Sequence, residues 1–137
     1  MIVLDTNIIS ELMKPVPHIG MRHWVNAQAL ENLYLTSVSW YELLYGLELM
    51  PSGKRRDGLG QTLNALRNEL FADRMLSFDE KSASGLSKLM ARARRDGIAI
   101  SLGDGEIAAI ALQHGFAVAT RDVAPFEAAG LKVINPW

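Results

Sequence analysis

An α/β fold built on a parallel sheet is what this chain predicts, on two observations. Short β-branched or aliphatic runs alternate along it with stretches of helical periodicity, the pattern of right-handed strand-helix-strand units whose sheet is covered on both faces. Glycine and proline also punctuate those stretches where helices end: Pro15 and Pro17 follow the first, Pro51-Ser52-Gly53 the third, and Gly97, Gly115 and Gly130 occupy C-cap positions.

Strands are expected near 1–5, 33–36, 74–78, 116–119 and 131–134, and helices near 6–13, 19–31, 38–50, 59–72, 80–96, 104–114 and 123–129. The 137 residues suit one domain, 1–137, with 49% apolar and 21% charged residues marking a globular chain. With no cysteine, disulfides and thiolate metal sites are excluded, and a reducing compartment, the cytoplasm, is the expected setting. Asp5 interrupts the apolar start before a signal core or membrane span could form, so MIVLD reads as a buried strand. A net charge of −1 rules out binding nucleic acid by overall positive charge. Local basic faces remain: Lys88, Arg92 and Arg95 at i, i+4, i+7, and Lys54-Arg55-Arg56 after a turn. Each fits either a solvated surface or contact with RNA phosphates.

In open parallel sheets ligands bind beyond the carboxyl ends of the strands. Four acids fall there: Asp5 closes the first strand, Glu42 lies in the first turns of the helix after the second, Asp104 opens a helix, and Asp122 follows the fourth strand. Asp104 shares a helical stripe with Ile107, Ala108 and Ala111, and Glu42 one with Tyr45, Gly46 and Leu49. Both stripes are expected to face the sheet, with Gly46 allowing close packing. A carboxylate so placed must be protonated, paired or bound to a metal. Arg121 is the one arginine beside the four, and one guanidinium cannot neutralise them all. Mg²⁺ or Mn²⁺ suits such oxygen ligands and would support metal-assisted phosphodiester hydrolysis. Helix capping is the competing use: Ser39-x-x-Glu42 and Ser101-x-x-Asp104 match the capping box, Asp122 could cap the next helix, and Asp79 is assigned to capping outright.

The segments LDTNIISEL from Leu4 to Leu12, SVSWYELLYG at 37–46, DGEIAAIA at 104–111 and ATRD at 119–122 together resemble the PIN-domain nucleases, most closely the VapC/FitB-like toxins of toxin–antitoxin operons. The resemblance spans nearly the whole chain. It implies a PIN-like three-layer α/β/α fold with a central parallel sheet of about five strands, and Mg²⁺ or Mn²⁺ on Asp5, Glu42, Asp104 and Asp122. It places Thr6 and Thr120 beside the metal, orienting ligands or water, and gives Asn7 a supporting role in the first turn. Capping remains an alternative for Thr6 and Asn7, and Arg121 is left between substrate phosphate and an ion pair. His18, His23 and His114 lie outside these motifs. The implied function is a toxin ribonuclease, homodimeric, restrained by a cognate antitoxin, and reaching operator DNA only through it. The helix at 38–50, apolar nearly all round, offers a face to a partner.

Two rivals remain. A phosphoacceptor receiver or aspartyl phosphatase also sets acids and Mg²⁺ at a sheet edge, but the phosphatase needs a second Asp two residues after the first, and residue 7 is asparagine. A catalytically weak binding module on the same fold is the other.

Overall fold

The computed structural model describes residues 1–137. Five short parallel strands form one sheet: β1 (Ile2–Leu4), β2 (Leu33–Thr36), β3 (Met75–Leu76), β4 (Ala117–Ala119) and β5 (Val133–Ile134), in the order β3-β2-β1-β4-β5. Seven helices connect and cover them: α1 (Thr6–Leu12), α2 (Ile19–Asn26), α3 (Ser37–Glu48), α4 (Lys54–Leu70), α5 (Glu80–Arg95), α6 (Leu102–His114) and α7 (Val123–Ala128). This is the three-layer arrangement expected. Side chains along each strand alternate between two cores. Val3 and Val118 join Leu89, Ile107, Ile110 and Phe126 on one face, whereas Leu4 and Ala119 join Ile8, Ile9, Met21 and Leu63 on the other. No helix is long and apolar enough to cross a membrane.

Several boundaries differ from the sequence expectation, each for a local reason. The helix expected over 19–31 stops at Asn26, because the Gln28 side chain donates to the Trp24 carbonyl (3.0 Å) and a 3₁₀ turn, Leu30–Asn32, leads into β2. α4 begins at Lys54 rather than 59, although three basic residues at a helix N-terminus and Gly58 and Gly60 within it all disfavour that start. Asp57 in the first turn, an Arg56–Glu48 ion pair at 2.5 Å and burial of Leu63 offset them. α6 starts at Leu102, two residues early, on a Ser101 cap. Gly97, Gly115 and Gly130 do adopt the left-handed φ (69°, 68° and 89°) expected beyond helix ends.

Strand order reverses direction between β1 and β4, which makes their carboxyl ends the topological switch point. The segments leaving these two strands begin at Asp5 and Thr120.

Candidate functional site

Asp5 leaves β1 as the N-cap of α1 and is only 5% exposed. Its Oδ1 accepts from the Thr6 amide (2.7 Å), and its Oδ2 from Asn7 Nδ2 (2.6 Å) and the Thr120 hydroxyl (2.7 Å). These donors favour the carboxylate, yet burial outweighs them. With the Asp104 and Glu42 charges adding to desolvation, the Asp5 pKa is pushed up from 3.8 to about 6. Neither of the chain's two ion pairs, Lys14–Glu11 and Arg56–Glu48, involves Asp5, Glu42, Asp104 or Asp122.

The Thr120 hydroxyl is fully committed. It donates to Asp5 and accepts from Asn7 Nδ2 and the Asp122 amide, both at 3.0 Å, which exhausts its one donor and two lone pairs. Asn7 in turn accepts the Arg121 amide at 3.2 Å, so one side chain ties the first turn of α1 to the loop after β4. Thr6 donates its hydroxyl to Glu42 Oε2, linking α1 to α3. Both threonines thus hold carboxylates.

Glu42 is not part of a capping box. The N-cap of α3 is Thr36, whose hydroxyl receives the Ser39 amide at 2.9 Å, leaving Glu42 in the second turn. Its stripe does not pack on the sheet either: Tyr45 and Leu49 are 53% and 68% exposed, and Gly46 has open space before it. That face of α3 looks outward, so the expected close approach at Gly46 is absent. Ser101 does cap α6, receiving the Asp104 amide (3.1 Å) while donating its hydroxyl to Asp104 Oδ2 (2.7 Å). Asp122 precedes α7 but makes no side-chain capping bond. Asp79 caps α5 through the Ser82 amide (2.9 Å), as expected.

Asp5, Thr6, Glu42, Asp104 and Asp122 line a single open cleft of about 440 Å³ that contains no apolar residue. Thr120 is buried behind it. The same cleft includes Ser10, Glu11 and Lys14, which the sequence reading had not singled out. Glu11 accepts from Lys14 Nζ (2.6 Å) and the His18 amide (2.9 Å), and these bonds hold its carboxyl below the usual range. The signal was present in the polar spacing Asn7, Glu11, Lys14 at i, i+4, i+7. Arg121 makes no ion pair with the acids; its guanidinium lies 5.4 Å from the Trp137 ring centre. No histidine lines the cleft.

The donor set is therefore all oxygen. No three acidic or histidine side chains come together closely enough to hold a metal ion by themselves, but Mg²⁺ typically takes only one or two carboxylates and fills its octahedron with water and substrate oxygens. A buried, unpaired Asp5 beside two further carboxylates fits such an ion.

A parallel α/β sheet with acids gathered at its switch point is shared by several classes of protein, and comparison with known proteins narrows them. The PIN domain family model matches residues 2–131, and the chain belongs to that family, in its VapC/FitB-like branch. It is 50% identical to the plasmid stability protein StbB of Pseudomonas syringae pv. tomato and 49% identical to the VapC ribonuclease Y4jK of Sinorhizobium fredii. Both alignments span all 137 residues and 99% and 98% of the relatives. Among solved structures it superposes on FitAcB from Neisseria gonorrhoeae (41% identity) and on FitAB bound to an IR36 DNA fragment (39%). Each has a TM-score of 0.94 and covers the whole chain, with 99% and 96% of the matched chains.

Proposed function

We propose that this protein is the toxin of a toxin–antitoxin pair and hydrolyses RNA phosphodiester bonds in the acidic cleft. Mg²⁺ or Mn²⁺ would be held there by Asp5 with Glu42, Asp104 and Asp122. The observation that carries this reading is Asp5: buried, pushed up to about pH 6, and without a cationic partner. When bound, the ion supplies positive charge against the phosphate and the Lewis acidity that makes water nucleophilic near neutral pH.

The chain's own residues prepare that chemistry. Thr120 and Asn7 clamp one Asp5 oxygen, while the other accepts only the Thr6 amide and keeps a lone pair free. Thr6 holds Glu42, Ser101 holds Asp104, and Asp122 stays free of capping. Of the cleft's two cations, Lys14 is paired with Glu11, which leaves Arg121, outside both ion pairs, to meet a phosphate beside the scissile bond.

Similarity to the VapC ribonuclease Y4jK supports RNA as substrate, and similarity to FitAcB and to DNA-bound FitAB supports a cognate antitoxin, with operator DNA reached through it. The absence of cysteine suits the cytoplasm. The outward face of α3, where Tyr41 and Tyr45 stack 5.8 Å apart beside Leu44 and Leu49, is the candidate homodimer surface. DNA-bound FitAB also motivates a second reading, a regulatory module without useful catalysis. The unpaired acids of the cleft weigh against it.

The deciding experiment incubates antitoxin-free protein with total bacterial RNA and Mg²⁺ or Mn²⁺, with and without EDTA, beside Asp5→Asn and Asp104→Asn. Discrete metal-dependent fragments, absent from both variants, are expected. Metal-bound, folded protein that leaves RNA intact would favour the regulatory module.

A further inference from the structure

Without a bound cation the cleft has a difficulty as an RNA site: five carboxylates against two cations line it, so its own side chains repel the substrate it is read to cut, and a metal ion there would act only at the scissile phosphate. Positive charge gathers elsewhere. Lys88, Arg92 and Arg95 occupy one exposed face of α5 and line a second groove, of about 560 Å³, with Gly85 and Gly130. None of the three belongs to either ion pair of the chain. Like charges at i, i+4 disfavour a helix; the macrodipole offsets this for Arg92 and Arg95 in the last turn, but Lys88 lies further in. Arg92 is also fixed in place, donating Nη2 to the Ala129 carbonyl at 3.1 Å. That leaves the rest of its planar fork available to an oxyanion.

α7 connects this groove to the cleft. Asp122, just before α7, lines the cleft, and Ala129, just after it, lines the groove. At 1.5 Å per residue the two lie about 10 Å apart along the helix axis, and because α7 joins the carboxyl end of β4 to the amino end of the parallel β5, an RNA reaching both would run along α7 from one edge of the sheet toward the other.

We propose that the groove of Lys88, Arg92 and Arg95 binds backbone phosphates of the RNA flanking the scissile bond, supplying the affinity that the acidic cleft withholds. The inference rests on the ribonuclease reading of the cleft. It favours RNA over duplex DNA or an acidic protein segment because RNA is the chain already placed in the cleft one helix away.

The test measures binding of a fluorescein-labelled single-stranded RNA dodecamer by anisotropy in EDTA, across about 50–200 mM KCl. Wild type is compared with Lys88→Gln/Arg95→Gln and with a charge-matched control, Arg22→Gln/Arg94→Gln. Arg92 is left intact because of its bond to Ala129. Loss of two phosphate contacts should lower the slope of log K against log salt by about 1.4. Affinity should fall about tenfold, and with metal present KM for RNA should rise while kcat holds. An equal loss in the control, an unchanged slope, or weakening toward duplex DNA but not RNA would overturn the proposal. If the groove variant loses RNA affinity while wild type cuts no RNA, the ribonuclease reading fails and the groove stands; if wild type cuts RNA with a KM the groove variant shares, the reverse holds.

Discussion

The Thr120 hydroxyl donates to Asp5 Oδ2 at 2.7 Å across 115 residues of sequence, and this bond joins the two strands whose ends make the switch point. With Thr120 buried and its hydrogen-bonding capacity exhausted, its contribution is to hold Asp5 rather than to meet substrate.

Thr120→Val keeps the shape and removes the hydroxyl, leaving Asp5 short of a donor and the Asp122 amide short of an acceptor. Loss of such a supporting bond typically costs about 10–100-fold in metal affinity or activity. Calorimetric titration with Mn²⁺ and RNA cleavage should both register it, and Thr120→Ser should recover most of the loss.

Metal-free protein should respond to pH through Asp5. Its folded pKa, about 6 against an ordinary 3.8, means that the folded state binds more protons than the unfolded state between those values. Stability in EDTA therefore falls as pH rises through that window and stays reduced above it, by up to about 3 kcal/mol. Asp5→Asn should remove this dependence and raise the metal-free Tm at pH 7 by several degrees, whereas Mg²⁺ should stabilise wild type more than the variant. Urea melts of both proteins from pH 4 to 7 measure the gap; one that narrows with rising pH would refute the assignment.

A Cβ added at Gly103 would sit 2.6 Å from Glu42 Oε1, so Gly103→Ala must push that carboxylate aside. Glu42 can swing, and alanine favours the helix. Activity should fall about tenfold with Tm unchanged or slightly raised, a separation that cleavage assays and thermal melts on the same preparation would detect.

Tyr45→Glu with Leu49→Glu places two charges on the outward face of α3. Because neither side chain is buried in the protomer, the homodimer surface proposed on α3 predicts that sedimentation shows a dimer for wild type and a monomer for this variant, with the circular dichroism spectrum retained. A dimer that survives both charges would move the interface off α3.

Much of this was legible in the sequence because strand ends are easy to locate and a carboxylate beyond one is conspicuous. Asp5, Glu42, Asp104 and Asp122 were found that way, and all line one cleft. The supports were harder to read. Asn7 joins Asp5, Thr120 and Arg121 through loops whose approach depends on the register of β1 against β4. Glu11 is fixed by the chain after α1, which brings the His18 amide to it, a contact that no local pattern announces. The start of α4 was hidden by Gly58 and Gly60, whose low helix propensity tertiary packing overrides. On α3 the apolar stripe beside Glu42 suggested burial, but it faces outward.

The pairing of β1 with β4 also governs when, during synthesis, the acidic cleft can be completed. Asp5 emerges from the ribosome among the first residues, but Thr120 and Asp122 come near the end, and chains are elongated at only about 5–20 residues per second. Throughout most of translation the nascent polypeptide carries Asp5 without the hydroxyl that holds it. On the toxin reading proposed above, the producing cell thus has an interval, set by the 115 residues between Asp5 and Thr120, in which a neutralising protein can already be present before the acidic cleft is complete.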